Sequence, residues 1–216
     1  MKGIVVIGAG GQARELRWII QAINERSPTW RFLGFVISDY KKRGPDDSEV
    51  LGDYEWLRAH RDEVQALAIG IGTPAARLRV AAELEGEFGP EFWPALVHPT
   101  AIFDRATTQL GHGCIISAGV VGTVNLILEP FALANFGCTL GHEAVLSRGV
   151  VVNPGSNISG GVVLEEGALV GTGAQLLQYR RVGRHSRVGA GAVVTTDVPA
   201  DTTVVGIPAK PLPLRA

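Results

Sequence analysis

Neither sign of charge dominates this chain. Twenty Lys and Arg face twenty-one Asp and Glu, for a net charge of −1, so there is no general electrostatic attraction to nucleic acid or to an anionic membrane surface. No apolar run is long enough to span a bilayer. The start, MKGIVVIGAGG, has one Lys and a very short apolar stretch before glycines, unlike a secretory signal. Cysteine is almost missing: Cys114 and Cys138 are the two. They are 24 residues apart, on different faces of the coil described below, and are expected as unpaired buried thiols in a reducing compartment. These lacks describe a soluble, cytoplasmic protein. Helical periodicity is also missing from the C-terminal half, where recurrent glycines argue against a helix.

What is present is a six-residue period. From Ala101 to Thr196 the chain divides into sixteen consecutive hexads without insertion, and the fourth place is Leu, Ile or Val in thirteen of them. The exceptions are Asp104, Gly122 and Ala134. The second place is usually small or β-branched, as at Cys114, Ala132, Cys138, Ala144, Ser156 and Ala168. Places two and four lie two apart, so on a strand they point to the same side. Such a repeat marks a parallel β-helix: three short strands per coil make a triangular prism, with the aliphatic inside and the small residue where the chain turns. One coil carries about three buried aliphatics at roughly 1.5–3 kcal/mol each, too little to offset the ordering of its backbone. Stability therefore comes from stacking.

The first third reads differently. Gly3–Ile7 is an apolar run typical of a buried parallel strand, followed by Gly8-Ala9-Gly10-Gly11-Gln12-Ala13 and a helix through Arg14–Glu25 that ends at Ser27-Pro28. A second strand, Phe32–Ile37, leads to Ser38-Asp39-Tyr40-Lys41; a third, Leu67–Ile71, leads to Gly72-Thr73-Pro74 and a helix to about Glu85. A fourth is expected around Trp93–Val97, before a hinge at His98-Pro99-Thr100. The alternation predicts an α/β Rossmann-like domain over 1–97 and the β-helix over 98–216. Glycines after the first strand let a backbone approach a pyrophosphate at the helix N-terminus. The acidic residue expected about 20 positions on for a dinucleotide ribose is missing; Asp39 lies some 30 beyond Gly8. A nucleotide is favoured over NAD, held by Asp39 and Lys41 with Gly72 and Thr73 at the next strand end. A tight turn without a ligand is the alternative.

Of the five histidines, His60 reads as a solvated helix residue, His98 as a residue packed at the domain junction, and His185 as part of a basic surface run. His112 and His142 both take the sixth place, at corners of the prism. Their separation of 30 is not a multiple of 18, so they sit on different edges, and no three-histidine metal set is expected. His142 alone is followed by a carboxylate. At a corner both side chains can face out, so Glu143 could accept the Nδ1 proton and leave Nε2 as a base. One coil later Gly160 leaves an open slot beside the imidazole. An exposed histidine with an incidental acid is the alternative.

With these motifs in hand (IVVIGAGGQARE, GFVISDYK, AIGIGTPAAR, VHPTA, ANFGCTLGHEAVL and VVGIPAKPL) the chain resembles the hexapeptide-repeat acyltransferases. More narrowly it is similar to the NeuD-like sugar acetyltransferases, including bacillosamine- and perosamine-type nucleotide-sugar N-acetyltransferases. The resemblance implies a left-handed coil and a homotrimer with active sites at subunit interfaces. It implies His142 as base and Glu143 as its orienting partner, and acetyl-CoA along later coils near Gly160, Thr172 and Ala190, with Pro208, Ala209 and Lys210 closing over it. Gly10, Gln12, Asp39, Lys41, Gly72, Thr73 and Asn135 would hold the nucleotide-sugar acceptor. Arg181, Arg184 and Arg187 would either meet CoA phosphates or form a solvated basic edge. The chain departs from the family at Gln12 and Val151, where relatives often carry histidines, and at the reduced acidic pair Ser38-Asp39.

The resulting expectation is acetyl transfer from acetyl-CoA to the amino group of a nucleotide-linked amino sugar, of the 4-amino-deoxy type. The rivals are O-acetylation of a sialic acid or another sugar hydroxyl, a non-catalytic trimeric binding scaffold, and metal chemistry of the carbonic-anhydrase type.

Overall fold

The computed structural model describes residues 1–42 and 48–212. Its first part has strands β1 (Lys2–Ile7), β2 (Trp30–Val36), β3 (Val50–Gly52) and β4 (Ala66–Ile69), with helices α1 (Gly11–Arg26), α2 (Tyr54–Ala59) and α3 (Pro74–Phe88). The strands form one parallel sheet in the order β3-β2-β1-β4. Two expectations are corrected. The fourth sheet strand is β3, three residues at the sheet edge and too short to carry a pattern. Leu96–Val97 pairs instead with Ile115–Ile116 and belongs to the prism. Helix α2 also went unpredicted; its start is fixed by Asp53, whose carboxylate accepts from the amides of Glu55 and Trp56.

The prism has three faces of stacked two-residue strands. Face one runs from Leu96–Val97 through Ile115–Ile116, Leu133–Ala134, Val151–Val152, Leu169–Val170 and Arg187–Val188 to Thr203–Val205, and closes on the antiparallel Lys210–Pro211. Face two stacks Val121–Gly122, Thr139–Leu140, Asn157–Ile158, Gln175–Leu176 and Val193–Val194. Face three stacks Gln109–Leu110, Ile127–Leu128, Val145–Leu146, Val163–Leu164 and Arg181–Val182. Fourth-place aliphatics and second-place small residues form one continuous interior. Each corner needs a left-handed backbone at place one, and its glycines sit at φ between 65° and 69°. Exceptions to the pattern are compensated locally. Gly122 lacks an inward side chain, and a Cβ there would stand 2.6 Å from Leu126; that leucine takes the usually small second place and fills the gap. Asp104 caps a turn, accepting from Ala106 N–H and from the Thr107 hydroxyl, so the first hexad contributes a single bridge, Ile102 to Val121.

Helix α1 lies between the sheet and face one. Its buried stripe of Ala13, Leu16, Ile19 and Ile20 shares one core with Ile4 and Val6 of β1 and with the outward third-place residues Ile115, Leu133 and Val151. Val151, where the resemblance leads one to expect a histidine, is fully buried in this inter-domain core, so in this chain the position serves packing. Helix α3 adds two polar pins. Arg77 is wholly buried, and its guanidinium donates to the carbonyls of Ile69, Ile71 and Phe131; burial lowers its pKa to about 10. Glu85 accepts from His112 Nε2 at 2.5 Å and from Arg148. Burial alone would raise the Glu85 pKa, but the bonds from Arg148 and His112 outweigh it and hold the carboxyl below its ordinary value. Cys114 and Cys138 are free and buried, with thiol pKa values pushed by burial to about 12 and about 11.

Replacing Arg77 with Met removes the guanidinium donor from the buried carbonyls of Ile69 and Phe131 and from the half-buried one of Ile71; a loss of about 2–4 kcal/mol is expected in urea unfolding. Glu85 has a depressed folded pKa, so its stabilisation is complete above the ordinary carboxyl value of 4.5 and fades as pH falls through the folded value. The stability gap between wild type and Glu85→Gln should therefore be widest near neutrality and shrink below about pH 4.5, as thermal melts across that range would read.

Candidate active site

His142 and Glu143 form the corner between faces two and three. Glu143 takes place one with φ +60°, its amide bonded to the Val124 carbonyl, and the left-handed turn brings its side chain round to the same side as the imidazole. The two side chains are 51% and 58% exposed, and Glu143 Oε2 stands 3.6 Å from His142 Nδ1, an ion-pair distance slightly beyond a hydrogen bond. The slot expected above Gly160 is not open. A Cβ on Gly160 would stand 2.5 Å from His142 Cε1 and closer still to Nε2, so the imidazole itself fills that space. Gly160 thus acts by admitting the ring, which rests on the backbone of the next coil.

At the other end of the chain, Gly8 (φ +105°) lies where a Cβ would meet the Gly70 carbonyl at 2.9 Å, so the turns after β1 and β4 touch through a position that only glycine suits. Gly10 precedes α1 without a side-chain cap, and nothing stands within 4 Å of a Cβ at Gly10 or Gly11. The start of α1 is therefore uncrowded on the side of the Gly10 and Gly11 α-carbons, and a helix N-terminus of this kind is the element that receives anionic groups. Strand order reverses between β1 and β4, the usual ligand position in such sheets. A cleft of about 190 Å³ at these strand ends is lined by Ile7, Gly8, Ile37, Ser38 and Ile71. Asp39 Oδ1 accepts from the Lys41 amide at 3.1 Å, which turns the chain at the end of β2. Thr73 stands at the N-cap position of α3 without a side-chain capping bond, and Pro74 follows in the first turn. Gln12 joins the halves: its Oε1 accepts from Asn135 Nδ2 at 3.5 Å, and Gly72 lies beside it. Gln12 Nε2 is buried with no hydrogen-bond partner among the described residues.

Gly10, Gln12, Gly72 and Asn135 are thus brought together, while Asp39 and Lys41 stand at the neighbouring strand end. The proposed acetyl-CoA residues are not all together. Thr172, Ala190 and Pro208-Ala209-Lys210 follow one another along the edge between faces one and two, as does Asn135 lower down. His142, Glu143 and Gly160 lie on the edge between faces two and three, so the whole width of face two separates the two sets within one chain. Of the basic run, Arg181 pairs with Glu165 at 2.7 Å and Arg184 with Glu166 at 3.9 Å. Arg187 instead lines a cleft with His185 against Thr73-Pro74-Ala75. His112 is engaged by Glu85, His98 packs at a tilt against Trp18 with ring centroids 4.8 Å apart, and His60 stacks on Trp56. No three His, Cys, Asp or Glu side chains among the described residues converge as a metal set. No helix among them is long and apolar enough to cross a membrane. Sequence reasoning missed Arg77 and Glu85; both sit on the buried side of α3, one turn and three turns from its start, facing polar groups remote in sequence.

Residues 3–84 match the PglD N-terminal domain family. Over nearly the whole chain the structure is similar to perosamine N-acetyltransferase from Caulobacter crescentus, solved as a histidine-to-asparagine variant with CoA and GDP-perosamine: 27% identity, TM-score 0.86, covering 99% of this chain and 98% of that one. The acetyltransferase domain of PglB from Neisseria gonorrhoeae, in complex with acetyl coenzyme A, is 29% identical with TM-score 0.85, over 98% of this chain and 99% of that one. Among curated sequences, serine acetyltransferase of Buchnera aphidicola is 29% identical over 196 residues, 87% of this chain. The chain spans 63% of that relative's length. A PglD-type N-terminal domain joined to a left-handed hexapeptide prism thus makes this chain similar, from end to end, to sugar acetyltransferases solved with CoA or acetyl-CoA.

Proposed function

We propose that this chain transfers the acetyl group of acetyl-CoA to the amino group of a nucleotide-linked 4-amino-deoxy sugar in the cytoplasm, with His142 as general base. The observation that carries this reading is the His142–Glu143 pair, exposed on a prism edge with the ring seated on Gly160. The CoA, acetyl-CoA and GDP-perosamine held by the similar structures support it. The α/β domain that precedes Leu96–Val97 holds the nucleotide sugar: the turn at Gly10-Gly11 takes its phosphates, and Asp39, Lys41, Gly72 and Thr73 its nucleoside. Gln12 and Asn135 bond the sugar where the two domains meet. Residues 98–216 carry the transfer.

In the reaction the neutral amine attacks the thioester carbonyl carbon while His142 Nε2 takes the proton that the nitrogen loses. The carboxylate of Glu143 orients Nδ1–H and stabilises the imidazolium. The C–S bond then breaks, and the imidazolium returns its proton to the departing thiolate. A backbone N–H supports the oxyanion.

The division of site residues between two edges leads to the homotrimer. Thr172, Ala190 and the Pro208–Lys210 closure of one copy complete the site at His142 of the next. Each catalytic centre then uses two chains, and a lone copy has half of each.

His142→Ala should lower kcat by about 10²-fold or more, read on a panel of UDP-, GDP- and dTDP-linked 4-amino sugars beside free sialic acid; undiminished transfer would overturn the mechanism. Gly160→Ala should displace the imidazole and cost roughly 10–100-fold in kcat with the fold retained by circular dichroism. Refolded mixtures of His142→Ala and Ala190→Trp chains, each inactive alone, should recover activity in mixed trimers. No recovery despite mixing, checked by native mass spectrometry, would place each site within one chain.

A further inference from the structure

Among the described residues six other than glycine adopt the left-handed backbone: Asn125, Phe131, Glu143, Tyr179, His185 and Asp201. Asn and Asp tolerate this conformation, whereas a bulky residue there is strained. For three of the others the surroundings supply a return. Phe131 is fully buried and packs edge-on against Trp93 and His112. Glu143 stands beside the proposed base, and His185 lines the cleft facing α3. Tyr179 gains nothing comparable: at φ +56° it is 65% exposed. On this edge the same place is Asn125, Glu143 and Gly161 in the three coils below, so the chain sets a strain-free glycine under the ring and a bulky residue above it.

Its position is specific. A Cβ on Gly161 would stand 2.5 Å from Tyr179 Cε1, as one on Gly160 would stand 2.5 Å from His142 Cε1. Two rings thus settle on one glycine pair, the imidazole from the coil below and the phenol from the coil above. Leu177, 44% exposed, stands on the same edge in the same coil as Tyr179. Next to the proposed base there is therefore a small exposed apolar wall, displaced toward the C-terminal end of the prism.

We infer that Tyr179, with Leu177, binds the acyl donor, forming the wall against which the thioester arm lies as it reaches His142. This rests on the proposed reaction. The donor fits better than the acceptor for two reasons. The acceptor residues Gly10, Gln12 and Asn135 lie toward the N-terminal coils, whereas Tyr179 is in the coil between Thr172 and Ala190. An apolar surface also suits an alkyl-amide arm better than a hydroxylated sugar.

The test is Tyr179→Gly, which restores the residue that the backbone favours. The melting temperature should hold or rise, by up to roughly 2–4 °C. The KM for acetyl-CoA should rise about tenfold while kcat and the KM for the nucleotide sugar change less than about threefold, and Tyr179→Phe should behave as wild type. Calorimetric titration of CoA into both proteins makes the result independent of turnover. Weakened CoA binding by Tyr179→Gly in a chain that transfers nothing would uphold the wall and remove the reaction. Unchanged CoA affinity and KM would overturn the inference and leave the reaction standing. A loss of trimer in sedimentation with CoA affinity intact would also overturn it, by making the ring a subunit contact.

Discussion

Helix α1 has a single apolar stripe and two claimants for it. The sheet offers Ile4 and Val6 from one side, and the prism offers Ile115, Leu133 and Val151 from the other, all in one buried cluster. The rest of the molecule depends on this shared burial, because it makes two units with different internal periods into one body. The glycine turn that opens α1 is thereby held at a fixed height on the prism, level with Asn135. Arg77 and the Glu85–His112–Arg148 group repeat the docking through α3, with hydrogen bonds where α1 uses area. Directional bonds fix register in a way that apolar area alone does not.

The prism was legible because its constraint is local and repeated. A coil that must place an aliphatic inside every six positions writes that requirement in thirteen of sixteen hexads, and fifteen of the hexads form strands. The Rossmann-like half was legible in its longer elements, since Gly3–Ile7 and the Leu16-Ile19-Ile20 stripe carry their own periodicity. It failed at Val50–Gly52, where three residues at an edge hold no pattern. It failed again at Leu96–Val97, which reads as another sheet strand because a buried strand looks the same whichever sheet receives it. A usable signal was passed over: the third places of face one are apolar (Ile115, Leu133, Val151), whereas those of face two include Thr139, Asn157 and Gln175. An outward aliphatic column on one face of a solenoid announces that something covers it.

The site was legible as a set of residues but not as an arrangement. His142 and Glu143 stand out by adjacency at a corner, and their shared exposure follows from the turn. Counting by eighteen also separates Gly160 from Thr172 and Ala190, yet a family resemblance gathers them under one ligand. The fold keeps them on two edges. The slot at Gly160 is a similar case: the missing Cβ was visible in the sequence, but the identity of the group that fills the space was not. Arg77 could not have been singled out, because an arginine facing three carbonyls leaves no charge partner to find in the chain.

The coil length has a consequence for how such a chain can change over time. Every inward side chain between Leu110 and Val194 is in line with its counterparts eighteen residues away, so adding or losing one residue within a strand would turn all later rows out of alignment at once. Length can vary only by whole coils or by loops thrown out at the corners. The corners are also where His142, Thr172 and Tyr179 stand. In this architecture, novelty of sequence length and novelty of chemistry are confined to the same three edges.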